Sequence, residues 1–542
     1  MSATTMKKAT SMNRLLPIVA MAAGLMITAA AQAAAPGISG PTFTLTAQPA
    51  YLSQPDGQAV YSWGYGCTTP PAAASFVPAT STAPFCNTMQ VPGPTLVVTE
   101  GQTVSVTLSN GLPTAAGNTS ILFPGFNVTT SGGVPGLLTQ EAAPGSTVTY
   151  TFTASTPGTR SYYSGTQSDL QVEMGLYGAI IVLPNAAPSN GSCPAHNTAA
   201  GVDSTTNQLT AGGENDFRLS PTGAAFHLTQ SCYDREYLFQ FSEMDPNIHT
   251  QALAQVTASA AACTSGGAGS SGCSLNVPTE PYHPAYFMIN GRSMPDDMDT
   301  NYAAQYPHQP YNGNPHMHPG ELVLLRIIGQ GRWQHPFHEH GNHVRILARD
   351  GNLIVSSSSA SELAGPLLFT TTTTPGLAMD GIFYWTGKGL NWDAYGHHPG
   401  SADPLATLAC TPDANGYNTA NLLAVNYYEW CQDHNKPVQA APFGDVAGGG
   451  PVTLPDPNLF TNGAWFGGSM YLGPNATVRA TGPTGTTPPS GTIANPPSTE
   501  AGFAFMWHSH NEREITTNNI FPGGMLMMML VDSREFAIDE SQ

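Results

Sequence analysis

Pro94-Thr-Leu-Val-Val-Thr-Glu-Gly-Gln-Thr-Val-Ser-Val-Thr-Leu108 reads as two short β-strands either side of a Glu100-Gly101 turn. Strand side chains alternate between faces with period 2, and in the second run Val104, Val106 and Leu108 share one parity while Thr103, Ser105 and Thr107 share the other. Further along the chain, Thr147-Val-Thr-Tyr-Thr-Phe152 repeats the pattern before the turn Pro157-Gly158. Alternating runs at this spacing, punctuated by turn residues, indicate a β-sandwich.

Composition agrees. Only 9% of the 542 residues are charged while Gly (57) and Pro (47) abound, the balance of turn-rich β structure rather than of amphipathic helices. The formal charge of −19 argues against nucleic acid and against anionic membranes as partners. Lys7, Lys8 and Arg14 precede the apolar run Leu15 to Ile27, and Ala31-Gln32-Ala33 is a small-x-small cleavage signal. Residues 1–33 therefore read as a secretory signal peptide, too short for a membrane span, which needs about 20 apolar residues. No later segment qualifies and no twin-arginine pair is present, so the chain is expected to be exported unfolded, to the periplasm or the extracellular space. The eight cysteines all lie beyond this leader and read as disulfides. Eight cysteines allow 105 pairings, among which the sequence does not choose; proximity suggests Cys67 with Cys86, Cys193 with Cys232, Cys263 with Cys273, and Cys410 with Cys431.

The remaining chain, about 500 residues, exceeds one usual core. Residues 34–185 read as a first sandwich and the Ser, Thr, Asn and Gly-rich stretch 186–229 as a linker. Residues 230–386 read as a second sandwich, with Ala258 to Gly272 as a loop stapled by Cys263 and Cys273. Residues 387–500 read as an irregular insertion or partial third domain, and 501–542 as closing strands of the last sandwich. Met525-Leu-Met-Met-Met-Leu-Val531 is expected to be a buried strand with methionine as core filler.

Two motifs carry chemistry. On a strand, His338 and His340 of His335-Pro-Phe-His-Glu-His-Gly341 project from one face, as do His508 and His510 of Trp507-His-Ser-His510. Two such strands side by side gather four imidazoles, ligands suited to copper and zinc. A third pair, His316 and His318, is flanked by Pro315 and Pro319 and is expected on a surface loop.

Val91-Pro-Gly-Pro-Thr-Leu-Val-Val-Thr-Glu-Gly101, Gly133-Val-Pro-Gly136, Gly175-Leu-Tyr-Gly-Ala-Ile-Ile-Val182, Asp234-Arg-Glu236, Ile289-Asn-Gly291 and His335 to Gly341 together resemble landmarks of the multicopper oxidases, the laccase-like proteins. The resemblance implies an all-β chain of tandem cupredoxin-like Greek-key β-sandwich domains with a long irregular insertion, and copper as cofactor. It assigns metal ligation to His335, His338, His340, His508 and His510, with His335 turned toward the blue-copper position. The departures are specific. Leu122 and Pro124 stand at the family's first His-x-His, and Tyr163 and Gly165 at its second. Ser509 stands where the blue-copper cysteine belongs, and Glu514 where a further histidine belongs. The implied protein binds copper without a thiolate and acts on small-molecule or metal-ion substrates with O₂, Glu512 or Glu514 being candidate proton acceptors or extra ligands. The opposing expectation is a non-catalytic copper-binding or structural scaffold. Imidazoles with a carboxylate also match zinc, iron or manganese. Two chains at a symmetric interface would gather eight such histidines, so a homo-oligomer stands among the expectations.

Overall fold

The computed structural model describes residues 35–78, 85–193, 216–318, 320–385, 468–471, 477–478, 493–494, 502–532 and 538. The expected leader, most of the expected insertion and the Cys410 and Cys431 pair lie outside these residues.

The alternation in Thr103–Asn110 does what it predicts. Val104, Val106 and Leu108 are fully buried, opposite Phe152, Tyr150 and Val148 of the neighbouring strand Thr147–Thr153, so each cross-strand pair packs inward. These strands belong to a five-stranded sheet with Ala59–Cys67, Thr42–Ser53 and Thr129–Gly132. A second five-stranded sheet runs Gly158–Tyr163, Tyr177–Leu183, Leu96–Thr99, Gly37–Ser39, Phe76–Val77. A shared core containing Trp63, Leu96, Tyr162 and Ile180 completes the first sandwich.

The second sandwich packs an eight-stranded sheet, with Cys232–Met244, Leu322–Gly329, Ala378–Tyr384 and Val344–Arg349 along its path, against a six-stranded sheet that includes Leu526–Asp532, Gly502–Ser509, His335–Glu339 and Thr370–Thr373. Its core interleaves Phe239, Phe241 and Leu325 of the first sheet with Phe337, Phe505 and Trp507 of the second. Met525, Met527 and Met529 are buried in it, as expected of filler residues.

Three expectations meet a different outcome. The segment read as a stapled loop is the C-terminal part of a 21-residue helix, Pro246–Gly266. Asp245 caps it by accepting from Asn247 N, Pro246 occupies the first turn and Gly267 closes it at φ 75°. The stretch read as a linker contributes the strand Leu219–Ala224 to the eight-stranded sheet. His316 and His318 are buried, not on the surface: the strand His316–Met317 pairs in parallel with Leu526–Asp532, and His318 follows it directly. Three disulfides join the expected partners, Cys67 with Cys86, Cys193 with Cys232 and Cys263 with Cys273.

The two sandwiches meet at a seam that is both apolar and ionic. Val97, Ala179, Ile181 and Leu183 of the first pack against Leu238, Ile328 and Ala378 of the second. Beside them Arg326 Nη2 donates to Glu236 Oε2 at 2.7 Å and Nη1 lies 3.2 Å from Asp380 Oδ1. Asp380 in turn accepts from Thr159 N at 3.0 Å and Thr159 Oγ1 at 2.6 Å, which ties the second sandwich to the first.

Candidate metal centre

The strand His335–Glu339 lies between Thr370–Thr373 and Gly502–Ser509. Its antiparallel register with the latter sets His338 directly opposite His508 and Phe337 opposite Ser509. Parity then sorts the side chains: Phe337 and Trp507 go to the core, while His338, His340, His508 and His510 share the other face.

The four rings are neighbours. Centroids lie 4.8 Å apart for His338 and His340, 4.9 Å for His338 and His510, 5.2 Å for His340 and His508, 5.4 Å for His508 and His510 and 5.6 Å for His338 and His508. Nε2 of His508 and Nε2 of His340 are 3.3 Å apart. Hydrogen bonds on the opposite nitrogen hold two rings: His508 Nδ1 at 2.7 Å from the Ser509 carbonyl and His338 Nδ1 at 2.6 Å from Thr370 Oγ1. Such contacts fix ring orientation and direct Nε2 the other way. Burial, reinforced by neighbouring imidazoles, pushes His338 down to about 4, and burial likewise lowers His508. His338 is therefore neutral at pH 7, the form that binds a metal. Among the described residues, no three His, Cys, Asp or Glu side chains already converge as a finished ligand cage. The fit to copper rests on the donor set: four adjacent imidazoles on two paired strands.

His335, expected among the ligands, stands apart. Its parity is that of Phe337, so it points into the sandwich, where Nε2 meets Glu243 Oε2 at 2.9 Å and Nδ1 meets Glu514 Oε2 at 2.8 Å. All three side chains are fully buried. Burial alone would lower the imidazole's affinity for a proton, but the hydrogen bonds and charges of the two carboxylates outweigh it and raise His335 to about 9. Ser509 donates to the same Glu514 oxygen at 2.5 Å, and Asn511 Nδ2 to the other at 2.9 Å. An imidazolium clamped between two carboxylates thus occupies the position expected for blue copper. Glu514 is spent on this clamp. Glu512 lies at the surface, with Oε1 3.6 Å from Nδ1 of the half-exposed His510.

Sequence reading missed Glu243 and Thr370. Glu243 had a signal, being an acid in Cys232–Met244, a strand buried along its whole length. In the first sandwich, Leu122 and Tyr163 still face each other across a backbone bridge. No imidazole stands there, however, and a Cβ on Gly165 would meet Leu122 Cγ at 2.8 Å, so the position is filled by packing.

A multicopper oxidase family model matches residues 73–187. Laccase-3 of Botryotinia fuckeliana is 30% identical over 196 residues, 29% of this chain and 43% of that protein. Laccase 1 of Metarhizium acridum is 37% identical over 98 residues, 18% of this chain and 15% of that one. The chain thus spans less than half the length of either relative. The blue copper oxidase of Nitrosomonas europaea superposes with a TM-score of 0.42 at 14% identity, covering 90% of this chain and 85% of that one. The matched stretch contains the landmarks Val91 to Gly101 and Gly175 to Val182, and the laccase likeness extends over a longer stretch, so this part of the chain is similar to a multicopper oxidase domain.

Proposed function

We propose that this chain is an exported copper-binding protein of the multicopper oxidase type, with copper held by His338, His340, His508 and His510. The observation that carries the reading is the cross-strand register that brings these four rings together on one sheet face. Copper bound there would supply one-electron redox chemistry with O₂ as acceptor. The protein's own part follows from its residues. Thr370 and the Ser509 carbonyl set the ring orientations, and desolvation keeps His338 deprotonated and ready to ligate. Half-exposed His510 and the partly exposed ring of Phe369, whose centroid is 5.6 Å from that of His338, form an open rim for a small reductant or metal ion. Glu512 at that rim is placed to exchange a proton with water.

A second reading, a non-catalytic copper-binding scaffold, is favoured by the His335 clamp and by Leu122 against Gly165, which remove the family's electron-uptake site and half of its usual ligand positions. Metal analysis tests the shared premise. Replacing His338 and His340 with Ala, or His508 and His510 with Ala, is expected to bring bound copper to background in a folded protein; undiminished copper in either double variant ends the proposal. The copper-loaded protein is expected to lack the intense orange-red absorption of a thiolate site, since Ser509 offers no thiolate. Oxygen consumption with a ferrous salt then separates oxidase from scaffold.

A further inference from the structure

The hydrogen bonds that clamp His335 continue past Glu243 toward the surface. Glu243 Oε1 accepts from Arg332 N at 2.7 Å, from Trp333 N at 2.9 Å and from the phenol of Tyr282 at 3.3 Å. The same phenol donates at 2.7 Å to Glu173 Oε2, a buried carboxylate of the first sandwich whose other oxygen accepts from Asp245 N. Trp333 stands edge-on to the Tyr282 ring, with 5.6 Å between centroids, and is 37% exposed. Arg332 lies over the same ring at 4.1 Å and pairs with Glu280 at the surface. Tyr286 and Tyr306 also donate to carboxylates, those of Asp56 and Asp299, but neither has a tryptophan beside it among the described residues. Tyr282 thus combines a carboxylate at its hydroxyl with an indole that reaches solvent, the two parts a redox-active tyrosine needs. A phenol that loses an electron becomes strongly acidic, and a guanidinium over the ring disfavours a radical cation. The electron therefore leaves together with the proton, and Glu173 is at hydrogen-bond distance to take it. Burial and the two carboxylates hold the phenolic proton well above its usual range, so it stays in place until then.

We propose that Trp333 and Tyr282 form a one-electron relay that carries electrons from a small surface reductant toward the histidine pairs, with Glu173 holding the phenolic proton. This rests on the reading of those pairs as a copper site. In the first half, Tyr282 gives one electron to the oxidant, Cu(II) at the histidine pairs; the phenolic O–H breaks and a carboxyl O–H forms on Glu173. In the second half, a one-electron donor such as ferrous ion delivers an electron through Trp333 and becomes ferric, and the proton returns from Glu173 to the phenol. The way inward is the hydrogen-bonded line from Glu243 through His335 and Glu514 to Ser509, which lies between His508 and His510 in the chain.

The experiment first uses the full chain free of metal. Flash-generated tris(bipyridine)ruthenium(III) oxidises it in the presence of a nitrone spin trap, and peptide mapping by mass spectrometry locates the adducts, which are expected on Tyr282 and Trp333. Transient absorption without the trap is expected to show a neutral tyrosyl radical that forms more slowly in D₂O, because a proton moves with the electron. Tyr282→Phe is expected to abolish that signal and Trp333→Phe to slow its rise. Adducts confined to other residues, or a tyrosyl signal undiminished in Tyr282→Phe, overturn the proposal. Should Tyr282→Phe fail to fold, the adduct map of the natural chain decides alone. In the copper-loaded protein, Tyr282→Phe is expected to keep its copper and to lose ferrous oxidation; an unchanged rate also overturns the relay. A chain that holds no copper defeats the copper reading and the relay together, whereas a chain that holds copper and forms no radical at Tyr282 defeats only the relay.

Discussion

His335 holds a charge where the family would hold a metal, and that charge has a pH signature. Its folded-state proton affinity, about 9, lies above the ordinary histidine value near 6.5. A group raised on folding contributes stability that is complete below its unfolded value and is lost as pH rises through the folded one. The contribution, on the order of 3 kcal/mol, is expected to be present at pH 6 and largely absent at pH 10. Urea denaturation across that window is expected to show the loss in the natural protein and to lack it in His335→Gln. An identical pH dependence in the two proteins would mean that His335 is not clamped as an imidazolium. That His335 turns away from His338 and His340 was implied by the family resemblance, and strand parity agrees with it. Its partners were hidden, because Glu243 and Glu514 lie 92 and 179 positions away and only the packed sandwich brings them together.

Among the elements, those with period-2 patterns were legible. Thr103–Asn110 and Thr147–Thr153 have apolar residues on one parity, and burial follows that parity. Helix Pro246–Gly266 was not legible by pattern. Only Ile248, His249, Ala252 and Ser259 of it are buried, too few to print a 3.6-residue apolar stripe in the sequence. Its readable signals were local ones, Asp245 before Pro246 and Gly267 at the end. The cap is accordingly expected to matter: Asp245→Ala removes acceptors for Asn247 N and His283 N and should cost about 1–2 kcal/mol. Thermal melting measures it, and copper content, set on the far strands, should not change. Loss of copper in this variant would show that the helix supports the metal centre.

At the scale of the molecule, the seam decides whether the two sandwiches unfold together. Asp380 is its hinge of charge, joining Arg326 to Thr159, and every member is buried. Removing one partner of a buried ionic group leaves the other uncompensated, at about 3–5 kcal/mol. Asp380→Ala is therefore expected to split a single calorimetric transition into two, the first sandwich melting apart from the second. One unshifted transition would show that the apolar part of the seam suffices. That two sandwiches exist could be read from strand spacing and length. That Thr159 meets Asp380 could not, since the contact links residues 221 positions apart.

The contact between Leu122 and Gly165 makes these two positions of the first sandwich interdependent. A side chain at position 165 would bring its Cβ to 2.8 Å from Leu122 Cγ, so the leucine has to shift before an imidazole fits there. Anyone installing a metal site in this half of the chain must therefore redesign the two positions as a pair, because a histidine at 165 alone meets a leucine and not a ligand.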